Sequence, residues 1–102
     1  MAEYMSERLG ASFKLPDKIS VRQHLQYREA IWRAAADKLD VYSQFWQGGL
    51  SLIEGWKCAG IDDPASLDLD TETDIHAADV VMWASDTIAG HMAGLRSIEK
   101  ND

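Results

Sequence analysis

The sequence is poor in the residues that usually advertise a chemistry. One cysteine, Cys58, stands in 102 residues, so no intrachain disulfide can form and a reducing compartment is expected. A lone cysteine also removes the paired-thiolate zinc patterns, and His24, His76 and His91 share no helix-turn spacing with one another. Basic residues are scarce: 10 Lys and Arg stand against 17 Asp and Glu, for a net charge of −7. That excess of carboxylates repels phosphate, which argues against nucleic acid and against an anionic membrane surface as partners. No apolar run is long enough to span a bilayer, because Asp79 and Asp86 interrupt the most apolar later segment. The opening MAEYMSERLG lacks a basic region followed by an apolar core, so no secretory signal is expected and the cytoplasm is the expected location. No glycine loop is followed by Lys-Ser or Lys-Thr, so nothing is shaped to cradle a phosphate.

The remaining polar clusters are weak as sites. Asp68-x-Asp70-x-Glu72 matches the opening of a calcium-binding EF-hand loop. Thr73, however, stands where the sharp turn needs Gly, and Asp79 where a bidentate Glu is required. An acidic loop is the simpler reading. His76 and Asp79 are three residues apart, and a hydrogen bond at a helix start explains the pair as well as a ligand role does. Cys58 has no local base. No metal, no cofactor and no enzymatic activity are therefore expected.

What is present is apolar patterning. Residues 44–58 read QFWQGGLSLIEGWKC, and Trp46, Leu50, Ile53 and Trp56 recur at steps of four, three and three. That is the spacing of one helix face, and burying each such side chain is worth roughly 1.5–3 kcal/mol. The rest of the chain is expected to fold around it. Gly48, Gly49 and Gly55 each cost about 0.5–1 kcal/mol in a helix relative to Ala. Close approach by another backbone or an aromatic ring is the expected compensation.

Along the chain, residues 1–10 suggest a helical turn or two, or a mobile end, stopped by Gly10. Phe13-Lys14-Leu15-Pro16 alternates and reads as an extended arm, with Phe13 and Leu15 aimed together at the core or at a neighbouring copy. Ser20-Val21-Arg22-Gln23 is a capping-box pattern, so a helix is expected from Val21. Its apolar stripe is Val21, Leu25, Ile31, Trp32, Ala35 and Leu39, with Arg22, Arg28, Arg33 and Lys38 lying off it. Asp37 or Asp40 is expected to cap a central helix over residues 41–58, unless one long bent helix joins the two. Gly60 closes that segment. Residues 61–73 form an acidic loop in which Leu67 and Leu69 pin against the core. Thr73 then caps a last helix over residues 74–97. Gly90 and Gly94 have the spacing of a close helix contact, within the chain or between subunits. An exposed tryptophan among the four would mark an interface.

Three blocks together resemble a known family. They are Lys14-Leu15-Pro16-Asp17-Lys18-Ile19-Ser20-Val21-Arg22-Gln23, then Trp46 to Leu50 with Ile53, Trp56 and Cys58, then the AADVVMWASDTIAGHMAGL run within residues 74–95. In order and spacing they resemble the tail assembly chaperones of bacteriophages with long, non-contractile tails. The resemblance implies a helical protein that binds and solubilises the tape-measure protein in the host cytoplasm, and helps recruit the tail-tube protein around it.

The expected fold is all-α: a small bundle of about three main helices with an extended N-terminal arm. Residues 1–19 would be the arm, 20–98 the helical domain and 99–102 a polar end. The expected mechanism is helix-in-groove binding by Trp46, Leu50, Ile53, Trp56, Met82 and Met92, with homo-oligomerisation as a further mode. The alternatives are a small structural component of the virion, at the head–tail junction or in the tail, and a helical module for a small molecule or metal.

Overall fold

The computed structural model describes residues 1–73 and 75–100. It contains three main helices and a three-stranded antiparallel sheet, so the all-α expectation is overturned. The strands are β1 (Ala2–Ser6), β2 (Ala11–Leu15) and β3 (Glu54–Cys58), in spatial order β1-β2-β3. The helices are α1 (Val21–Ala36), α2 (Val41–Gly49) and α3 (Ile75–Lys100).

The N-terminal segment is neither helix nor free arm. β1 and β2 form a hairpin in full register, Ala2 opposite Leu15 and Ser6 opposite Ala11. Gly10 turns it at φ 63, a left-handed conformation that suits glycine. Alternation along β2 then sorts its side chains: Ala11, Phe13 and Leu15 are buried and Lys14 is exposed. Phe13 and Leu15 do point the same way, onto this chain's own core.

The central helix stops early. α2 ends at Gly49, a 3₁₀ turn follows at Leu50–Leu52, and Ile53 is already extended. Residues 54–58 are strand, not helix, and pair with β2, Ala11 opposite Cys58 and Lys14 opposite Glu54. Between those pairs the register slips, and Gly55 sits there at φ 61. The three glycines have separate uses. Gly55 permits the bulge. At Gly48 a Cβ would fall 2.8 Å from Ile31 and 3.3 Å from the Tyr27 ring, and at Gly49 it would fall 2.6 Å from Ile88. Bare backbone thus lets α1 and α3 press onto α2 from two sides, through aliphatic as well as aromatic groups.

The helix starts match expectation. The Ser20 hydroxyl accepts from the Gln23 amide at 3.1 Å while the Gln23 side chain accepts from the Ser20 amide at 2.8 Å. Asp40, not Asp37, caps α2, accepting from the Ser43 amide at 2.9 Å. Two separate helices are joined through Lys38, at φ 63. The cap expected at Thr73 involves Asp74, which lies outside the described residues, as do Asn101 and Asp102 of the polar end.

The core lies between the sheet and the helices. Phe13 is at its centre, 5.9 Å from the Trp56 ring, 5.2 Å from Trp83 and 6.0 Å from Tyr4. Trp46 meets Trp56 edge-on at 5.9 Å. From α3, Val80, Val81, Ala84, Ile88 and Met92 complete it. Among the described residues no helix is long and apolar enough to cross a membrane.

Candidate functional site

An open groove of about 670 Å³ lies where the start of α2, the acidic loop and the first two turns of α3 meet. Local chemistry positions each wall. The Asp40 cap fixes the first turn of α2, and Ser85 on α3 donates to the Tyr42 carbonyl at 3.0 Å, which ties α2 to α3. Asp63 caps a short turn at Pro64–Ser66, accepting from the Ala65 amide at 3.0 Å. The Asp68 carboxylate accepts from the Asp70 amide at 2.9 Å, so the aspartates organise a turn. Leu67 packs on the core, while Leu69 stays exposed at the groove. Tyr42, Leu69, Ile75 and Met82 supply its exposed apolar surface. Among the described residues Asp40, Asp68 and Glu72 are its charged lining, and no Lys or Arg lines it.

The six residues expected to bind a partner separate. Met82 lines this groove and is 37 % exposed. Trp46 and Met92 are 1 % and 4 % exposed and belong to the core. Leu50, Ile53 and Trp56 are half-buried against that core, and the Trp56 indole donates to the Ile61 carbonyl at 2.8 Å. The helical spacing of Trp46, Leu50, Ile53 and Trp56 does not make one face, because the chain changes from helix to strand between them. Tyr42, Leu69 and Ile75 are not among the binding residues expected from sequence. The alternation of Leu67 and Leu69 with aspartates was the available signal, and it pointed inward for both.

The groove carboxylates are partly engaged. Asp40 accepts from the Ser43 hydroxyl at 2.7 Å as well as from its amide, and these bonds, the hydroxyl first, hold its pKa below the ordinary 3.8. A depressed folded pKa means stability that is present above the ordinary value and lost as pH falls through the folded one. Asp40→Ala is expected to cost about 0.5–2 kcal/mol at neutral pH through loss of the cap. Asp40→Asn keeps an acceptor for the cap but loses the charged form that these bonds favour, so it should be less stable than the parent at neutral pH, by less than Asp40→Ala, and its acid-side decline should be shallower. Urea midpoints followed from neutral pH into the carboxylate range check both.

His91, His76 and Cys58 are held in the structure. His91 joins three elements: Tyr4 OH lies 2.7 Å from Nδ1, and the Pro16 carbonyl 2.7 Å from Nε2. A carbonyl can only accept, so Nε2 donates to Pro16. His76 donates through Nε2 to the Ala59 carbonyl at 3.0 Å and is not paired with Asp79, which lies 3.9 Å from Arg8. Burial pushes the Cys58 thiol above its ordinary pKa, so it stays protonated at neutral pH and is a poor nucleophile. Among the described residues no three His, Cys, Asp or Glu side chains converge as metal ligands.

A second apolar surface lies on α1. The stripe expected to face the core mostly faces outward: Val21, Leu25, Trp32, Ala35 and Leu39 are exposed and only Ile31 is half-buried, while the buried residues of α1 are Tyr27 and Ala34, which lie outside that stripe. Trp32 is 73 % exposed. The cause is the contact at Gly48, which selects the Tyr27–Ile31 side of α1 for packing. Gly90 and Gly94 are exposed, and nothing would lie within 4 Å of a Cβ at either, so they do not serve a close contact within the chain.

Comparison of the chain with protein-family models, with curated proteins and with solved structures gives no match.

Proposed function

We propose that this protein binds apolar helical segments and acts as a tail assembly chaperone for a phage tape-measure protein in the host cytoplasm, with later recruitment of tail-tube subunits. The observation that carries the reading is the open apolar groove beside Met82, with acids and, among the described residues, no bases in its lining. A helix laid in such a groove buries residues at steps of three and four. Methionine adapts to differently shaped apolar partners. The acids at the groove and the net charge of −7 favour keeping a coated apolar rod in solution. The groove, rather than Trp46 and Met92, is the binding surface in this reading. This reading assigns no catalytic role.

The test is co-expression with the long helical tape-measure candidate from the same genome, followed by affinity capture. The partner should become soluble and be recovered in many-to-one ratio. Met82→Glu should lower recovery by about tenfold, equivalent to 1.4 kcal/mol of binding, with no change in melting temperature. An insoluble partner beside a well-folded chain refutes the reading. Fixed copy number in purified virions would make the protein a structural component instead.

A further inference from the structure

Helices α1, α2 and α3 bound a second groove, of about 550 Å³, which shares no lining residue with the one beside Met82. Its apolar wall is Ile31 from α1, Phe45 from α2, and Ala89 and Met92 from α3. Its polar groups all come from α1. His24, Tyr27 and Arg28 share one side of that helix with Ile31, at the spacing of three, four and seven residues. Tyr27 is 6 % exposed, yet its hydroxyl has no hydrogen-bond partner among the described residues, where a buried tyrosine ordinarily finds one. Among those residues no sealed side-chain N or O atom lacks a partner, so the Tyr27 oxygen opens into the groove that its ring lines. Burial pushes its pKa above the ordinary 10.0, against the opposing charge of Arg28, so at neutral pH it is a donor in want of an acceptor. Arg28 is exposed and in no ion pair among the described residues, and no Asp or Glu among them lines this groove. In a chain of net charge −7 that is a local reversal of sign.

We propose that this groove binds a small amphiphilic carboxylate, one carboxyl group on an unbranched apolar chain. The head group lies against the Tyr27 hydroxyl and the Arg28 guanidinium, where the His24 ring offers a further donor, and the chain lies over Ile31, Phe45 and Met92. One guanidinium matches one negative charge, and hydroxyl and guanidinium together supply donors for both carboxylate oxygens. Size favours a small ligand over a partner helix. Residues 24–31 cover only about 10 Å of α1 at 1.5 Å per residue, and α3 adds only residues 89–93. The volume falls within the roughly 300–1,000 Å³ of small-molecule sites, which are apolar with a few placed polar groups. The inference is independent of the chaperone reading, since the two grooves have separate linings.

Isothermal titration of the full chain with decanoate, kept below its micelle-forming concentration, tests it. The heat should saturate at one decanoate per chain, and the melting temperature should rise with ligand. Decan-1-ol and decyltrimethylammonium carry the same chain without the negative charge and should bind at least about tenfold more weakly. Arg28→Gln and Tyr27→Phe should each weaken decanoate binding by about tenfold. Arg28 is exposed, so its variant should keep the parent's circular dichroism and decides the matter if Tyr27→Phe is destabilised. Arg22 lies about 9 Å further along the helix axis, near one Debye length, so Arg22→Gln should change affinity by less than about twofold. Amide shifts on adding decanoate should concentrate in residues 24–31 and 89–93. Absence of saturable binding overturns the proposal, and so does decan-1-ol binding as tightly as decanoate. Equal losses in Arg22→Gln and Arg28→Gln, or shifts centred on the groove beside Met82, overturn it as well. Decanoate binding with a failed tape-measure capture would remove the chaperone reading and leave this one standing.

Discussion

Phe13→Ala should destabilise the fold by about 3–5 kcal/mol, as truncation of a fully buried phenylalanine does. Its ring is fully enclosed and touches Tyr4, Trp56 and Trp83, which come from both neighbouring strands and from α3. Aromatic pairs of this kind add about 0.5–1.5 kcal/mol beyond the area they bury. The hole cannot close cheaply, because Phe13 sits in the middle strand and its backbone is held on both sides. A domain of this size has about 5–15 kcal/mol of stability in all, so the loss is a large share of it. Urea unfolding followed by tryptophan emission and by circular dichroism measures it. A loss below about 1 kcal/mol would fall outside the range for buried aromatics and would show that the sheet does not seat on the helices through this ring.

Gly49→Ala should destabilise although it places a better helix former in a helix. Propensity alone favours alanine by about 0.8–1 kcal/mol. Against that, the added Cβ would lie 2.6 Å from Cδ1 and 2.7 Å from Cγ2 of Ile88. Cδ1 can swing aside, but Cγ2 is fixed by the stiff χ1 of a β-branched residue, and Ile88 is fully buried. Overpacking of this kind costs about 1–3 kcal/mol, so the clash outweighs the propensity. Gly49→Leu should abolish the native fold. In an Ile88→Ala background the sign should reverse and Gly49→Ala should stabilise, because the obstructing atoms are gone. Gly90→Ala is the control: nothing lies within 4 Å of the added methyl, so it should stabilise by about 0.5–1 kcal/mol. A thermal-melt double-mutant cycle over Gly49 and Ile88 reads all of this, and strict additivity would refute the clash.

The site was less legible in the sequence than the helix starts. Met82, Trp46 and Met92 are all expected partner contacts from the sequence; Met82 lines the groove, whereas Trp46 and Met92 are core. Nothing in their spacing separates the two fates, since exposure depends on what another segment covers. On α1 the sequence reads as one stripe, Val21, Leu25, Ile31, Trp32, Ala35 and Leu39, yet the buried side is that of Tyr27 and Ala34. The helix buries the side that meets bare backbone at Gly48.

Neighbours within a few residues decided several features by themselves. Ser20 with Gln23 starts α1, Asp40 starts α2, and Asp63 and Asp68 shape their own turns through local hydrogen bonds. The long period of apolar residues after position 75 produces α3 in the same way, because a helix satisfies its backbone within its own segment. The sheet had no such local cause. Five-residue strands carry a brief alternation, and β3 also carried a helical spacing that masked it. Tertiary structure decided those segments: β2 leaves two edges to satisfy, and the amides and carbonyls that complete them arrive from residues 2–6 and from residues 54–58, about forty positions further along the chain.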